Sequence, residues 1–117
     1  MNIKSGNLFS SLANNTRLRS LMLLLRYDEL WVCELTHALG VAQPHISRHL
    51  ALLRESGLVS DRREGLWAHY RIHRDLPEWV RRVLQDVFDR VAGRGPFRDD
   101  AKELVKMPNR PRTPRCA

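Results

Sequence analysis

Between Val32 and Gly57 the chain carries two short apolar stripes at helical spacing, separated by only a few residues. Val32, Leu35 and Leu39 form the inner face of the first helix, and Gly40 supplies the left-handed stop that a tight turn requires. Pro44 then suits the first turn of a new helix, where its missing N–H is not needed. This second helix is expected to run to about Ser56, with Ile46, Leu50 and Leu53 inward, which turns Gln43, His45, Ser47, Arg48 and Ala51 away from the core. Two helices joined at a glycine, the second presenting polar and basic groups, make a helix-turn-helix pattern.

The flanking segments complete a small domain around it. Leu8, Phe9 and Leu12 predict a helix after Gly6, and Leu18, Leu21, Met22 and Leu25 predict another over about Thr16–Arg26. After Gly57 the period falls to two: Leu58–Arg63 and Leu66–Ile72 read as two strands around Glu64-Gly65, a wing beside the second helix of the pair. A further helix from Leu76-Pro77 carries Val80, Val83, Leu84, Val87, Phe88 and Val91, more apolar surface than so small a domain needs, which suggests a partner subunit. The expected division is a domain over 1–95 and a basic Pro/Arg-rich, mobile tail over 96–117, with Asp99–Lys106 allowed a helical turn or two. The fold class is therefore mainly α with a small β-hairpin, a homodimeric winged helix-turn-helix.

At 117 residues there is room for about one domain. Its 43% hydrophobic and 28% charged residues argue against wholesale disorder. The net charge of +7, most of it beyond residue 60, is the balance of a chain whose partner is a polyanion. No apolar run approaches the roughly 20 residues of a bilayer span, and no signal-like segment opens the chain, so a cytoplasmic protein without membrane contact is expected. The sequence has no Gly-rich phosphate loop, His-Glu-x-x-His pair or nucleophile elbow, which argues against an enzyme. Cys33 and Cys116 are too few for a disulfide framework.

Three stretches are similar to the ArsR/SmtB family of winged-helix repressors, and most of all to its arsenical-resistance branch. They are Leu12–Leu18, the run Glu29–Leu35 with Gln43–Val59, and the wing Asp61–Arg71. The resemblance covers about residues 8–92 and implies a homodimer that sits on a palindromic double-stranded operator and leaves it when an inducer binds. On that footing Gln43, Ser47 and Arg48 are the base-reading candidates, since Gln can fork onto adenine and Arg onto guanine. His45 and His49 are further base or phosphate contacts, and Arg62 and Arg63 are phosphate contacts from the wing. Trp67 and Tyr70 are assigned to packing of the wing. The first helix and the long late helix are expected to form the dimer, through Leu8, Val80, Leu84, Val87 and Phe88.

At the inducer site the sequence departs from the branch it resembles. There the third helix carries three cysteines that hold trivalent arsenic or antimony through soft sulfur donors; here Trp31 and Thr36 stand at two of those positions and Cys33 remains. Cys33 is then either structural or joined by Cys116, in a two-thiolate site for arsenite, methylarsenite or antimonite, or in a reversible disulfide. No cofactor is otherwise required. Cys33-x-x-x-His37 offers two ligands at best, and Asp86 and Asp89 lack a histidine beside them, so no zinc or nickel site is expected. Two alternatives stay open: the same repressor responding to oxidation or another ligand, and a winged-helix protein-interaction module without an inducer.

Overall fold

A computed structural model describes residues 2–108. Its elements are α1 (Ser5–Leu12), α2 (Asn15–Arg26), β1 (Leu30–Trp31), α3 (Val32–Leu39), α4 (Gln43–Glu55), β2 (Val59–Glu64), β3 (Trp67–Ile72), α5 (Glu78–Val91) and α6 (Phe97–Lys106). The Asn14 side chain caps α2 by accepting from the Arg17 N–H at 3.1 Å, a frequent role for Asn where a helix leaves its first donors unpaired. Gly40 closes α3 at φ 65° and Gly65 turns the hairpin at φ 62°, two left-handed positions that glycine occupies without a Cβ penalty.

The wing is larger than the expected hairpin. β1 pairs antiparallel with β3, Leu30 opposite Tyr70 and Trp31 opposite His69, giving a three-stranded sheet in the order β1-β3-β2. β2 and β3 pair from Val59 opposite Ile72 to Glu64 opposite Trp67. The sheet is thereby tied to the first residue of α3, since β1 ends where that helix begins.

Leu21, Leu30, Leu35, Ile46, Leu50, Leu53 and Leu58 are completely buried where α2, α3, α4 and the sheet meet. Residues 97–106, expected to carry a helical turn or two at most at the start of a mobile tail, form α6, which packs on α3 and α2 and buries Leu104 and Asp100. The charge of Asp100 is met by Arg19 of α2 through two contacts, Nε–Oδ2 at 2.8 Å and Nη2–Oδ1 at 2.6 Å, and this pairing raises the Arg19 pKa. The same Nη2 donates to the Leu39 carbonyl at 3.1 Å, so one guanidinium ties α6 to the last turn of α3. Among the described residues no helix is long and apolar enough to cross a membrane.

Candidate nucleic-acid interface

Helix α4 presents the surface that its pattern foretold. Ile46, Leu50 and Leu53 are buried, and Gln43, His45 and Arg48 are exposed. Gln43 Nε2 donates to Ser47 Oγ at 3.0 Å, and Arg48 Nη2 lies 3.3 Å from His45 Nδ1. These are exposed contacts one helical turn apart, which bundle the polar groups while leaving them free to exchange partners with a ligand. Arg54 continues the helix toward the wing, its Nη1 3.0 Å from Asp61 Oδ2. That ion pair links α4 to β2, and nothing in local periodicity announced it.

His49 differs from its expected role. It is half-buried, and Arg17 Nη1 lies 3.1 Å from its Nδ1 while Arg17 Nη2 donates to the Ser10 carbonyl at 3.1 Å. Burial lowers its pKa, and the charges of Arg17, Arg48 and His45 push the same way, so the ring is held neutral and able to accept. His49 thus braces α4 against α1 and α2. The signal was present in the sequence, because residues 46, 49, 50 and 53 follow the i, i+3, i+4, i+7 spacing of a core stripe.

The two wing arginines part company because successive strand residues point to opposite faces. Arg62 shares a face with His69, its register partner, and is held by Glu29 Oε1 at 2.7 Å and by Glu64. Arg63 points the other way and joins Gln43, Ser47 and Cys33 in lining one hollow of about 560 Å³. No ion pair engages Arg63 among the described residues. Arg62 is thus paired with carboxylates, whereas Arg63 is exposed and without an ion pair among the described residues.

Behind Arg62 lies a polar cluster that the sequence did not reveal. His69 is buried, with Nδ1 3.2 Å from Glu29 Oε1 and Nε2 3.5 Å from Glu64 Oε1, and Nε2 makes no hydrogen bond among the described residues. Burial lowers the His69 pKa and the Arg62 charge adds to this, against the opposing pull of Glu29, Glu64 and Glu34. Partial burial works to raise the Glu29 carboxyl, yet the Arg62 hydrogen bond and the charges of His69, Arg62 and Arg71 bring it below its ordinary value.

Of the expected dimer residues, Leu8, Val80 and Leu84 are completely buried within the single chain, where they complete its core. An amphipathic stripe shows that a face is covered, and here the protomer itself covers those three. Val87 and Phe88 remain partly exposed, with the Arg26 guanidinium 5.5 Å from the Phe88 ring centroid. Phe9 of α1 and Trp79 of α5 are exposed apolar residues that the interface expectation omitted. Trp67 is half-buried and Tyr70 buried, as packing of the wing requires. Cys33 is half-buried at the second position of α3; Cys116 lies outside the described residues. Among the described residues no group of three or more His, Cys, Asp or Glu side chains is arranged to hold a metal ion.

Comparison with known proteins agrees with this geometry. Residues 14–61 match the model of the bacterial regulatory protein, arsR family. The arsenic resistance transcriptional regulator ArsR1 of Pseudomonas putida is 49% identical over 106 residues, covering 91% of this chain and 81% of that one. The arsenical resistance operon repressor of Escherichia coli is 49% identical over 81 residues, 69% of each chain. The crystal structure of the AntR antimony-specific transcriptional repressor superposes with a TM-score of 0.63 at 31% identity, covering 80% of this chain and 86% of that one. With the helix-turn-helix, the wing and the exposed polar face of α4 in place, the chain belongs to the ArsR family of bacterial regulatory proteins and is a DNA-binding, winged-helix transcriptional regulator rather than an enzyme.

Proposed function

We propose that the protein is a homodimeric repressor of the arsenical-resistance type, which occupies a palindromic operator and leaves it when a trivalent arsenical or antimonial binds cysteine thiolates. The observation that carries the DNA half is that Gln43, Ser47 and Arg63 line one hollow between helix α4 and the wing. Gln43 and Arg48 read base edges in the major groove, Ser47 supports them, His45 supplements them, and Arg63 takes a backbone phosphate. The two subunits meet through α1 and α5, using Val87 and Phe88 with Phe9 and Trp79, so that two recognition helices reach half-sites about one duplex turn apart.

The inducer half is supported by the names of the relatives, two of them linked to arsenic resistance and one specific for antimony, and by Cys33 at the start of α3. Cys33 lines the same hollow as Gln43 and Ser47, so a metalloid held there sits against the DNA-reading helix. Cys116 supplies the second soft sulfur donor.

The test is duplex binding at fixed salt, on DNA carrying an operator-type inverted repeat, titrated with arsenite, methylarsenite and antimonite. The parent and the Cys33→Ser and Cys116→Ser variants are compared. Release of DNA by a trivalent metalloid, abolished by either substitution, sustains the whole reading. Tight binding that no metalloid relieves removes the inducer and leaves the repressor. Absence of sequence-selective binding removes the repressor as well.

A further inference from the structure

The hollow between α4, the wing and the start of α3 has a volume and a lining of its own, apart from any contact with a duplex. Its lining includes Trp31, Leu66, Trp67, Ala68 and Tyr70, and its cations are Arg54 and Arg63. The volume of about 560 Å³ is that of a small-molecule pocket, which runs from roughly 300 to 1,000 Å³. Trp31 and Tyr70 are nearly closed off in the floor, so the accessible apolar surface is that of Trp67 with the exposed Leu66, and an aromatic face like that of Trp67 favours a flat, apolar body. The charge is also specific: Arg54 is offset by Asp61 at 3.0 Å, whereas Arg63 brings a positive charge with no ion pair among the described residues. An occupant with one anionic group on a flat apolar frame satisfies both.

We propose that this hollow binds a planar aromatic anion of one or two rings, and that this ligand and the operator exclude each other. Its apolar frame lies against Trp67 and Leu66, and its anionic group meets Arg63, which can donate two parallel hydrogen bonds to a carboxylate. Exclusion follows because Arg63, Gln43 and Ser47 cannot serve the ligand and the duplex together; this part rests on the DNA contacts proposed above. Ligand binding itself does not. It would give the regulator an input that involves no metalloid.

The probe is 2-naphthoate, with the neutral 2-naphthylmethanol as its control, measured by titration calorimetry on the full chain with and without operator duplex. Ala68→Phe fills the hollow from the sheet and Thr36→Phe fills it from α3, with circular dichroism to confirm folding. Arg63→Gln leaves the walls intact. The expected results are saturable naphthoate binding in the parent, its loss in the filled variants, and binding about tenfold weaker for the alcohol or for Arg63→Gln. Bound naphthoate should also weaken duplex binding by the parent. No saturable heat, or heat that neither filling variant nor Arg63→Gln alters, overturns the proposal. Naphthoate that binds without displacing DNA overturns the exclusion. A protein that binds naphthoate but no duplex leaves the pocket standing and removes the DNA reading.

Discussion

The imidazole of His69 lies against the indole of Trp31, with ring centroids 3.2 Å apart and planes inclined by 41°. The two residues are also register partners across β1 and β3, so backbone pairing and ring contact act at the same point. Trp31 immediately precedes α3, and its N–H donates to Glu34 Oε1 at 2.9 Å, which seals that helix end. Through this contact the start of α3, with Cys33 two residues on, is mechanically continuous with the strand that carries the wing. Cys33 thus stands two residues from a position paired to β3, the strand that also pairs with Arg62 and Arg63.

The two histidines whose pKa values the fold lowers make stability fall on mild acidification. His69 and His49 both have pKa values below the ordinary 6.5 or so, chiefly through burial. Below about pH 6.5 the unfolded chain binds protons that the folded one refuses, so the stabilisation, complete above that pH, is lost as pH falls through the lowered folded values. Glu29, also lowered, adds a second loss in the carboxylate range. Melting temperatures between about pH 7.5 and pH 5 should drop more steeply for the parent than for the His49→Gln, His69→Gln double variant. Parallel curves would refute the assignment.

Asp100→Ala should release α6. The substitution leaves Arg19, one-fifth exposed, beside an apolar helix interface without its counter-charge. Breaking a buried pair costs roughly 3–5 kcal/mol, and the partial exposure of Arg19 places this case at about 3 kcal/mol or below. Urea titration gives the loss, and limited proteolysis should show faster cleavage within 97–106. Unchanged protease resistance would mean that Leu104 alone holds the helix.

Arg62 and Arg63 should separate in a salt series. Each phosphate contact contributes about 0.9 to the slope of log K against log salt. Arg63→Gln is expected to lower the slope by about that amount, because its charge has no ion pair among the described residues. Arg62→Gln should leave the slope near that of the parent and instead cause a small loss of thermal stability, since Glu29 and Glu64 lose the cation they share and keep His69 between them. Equal slope changes for both would place both arginines on phosphate.

The helix-turn-helix and the hairpin were legible in the sequence because a change of period, from 3.6 to 2, is written in consecutive residues from Val32 to Ile72. What stayed hidden depends on pairing at long range. β1 is two residues long and exists through its register with β3, so no local pattern announces it. α6 is anchored by Arg19 and Asp100, 81 residues apart, and its own apolar content is small. Leu8, Val80 and Leu84 were read as a subunit interface because periodicity shows that a face is covered without showing what covers it. The placement of Arg63 in an open hollow and Arg62 among carboxylates follows from strand alternation, but only once the strand limits and the position of Glu29 are fixed.

Gly40 sets the angle between α3 and α4, and its replacement isolates the cost of the backbone alone. It sits at φ 65° and ψ 29° as the C-cap of α3, and a Cβ built there meets no atom within 4 Å. Gly40→Ala therefore introduces no clash, only the left-handed penalty of an L-residue, about 1–2 kcal/mol. Gly40→Asn should cost less than alanine, because asparagine enters that region more readily. Chemical denaturation of both variants gives the comparison. A loss well beyond this range would mean that the turn is strained by its packing as well as by its dihedral angles. Equal stability of the alanine variant and the parent would mean that the turn relaxes to negative φ, in which case α4 must rotate and duplex affinity should fall even though the fold survives.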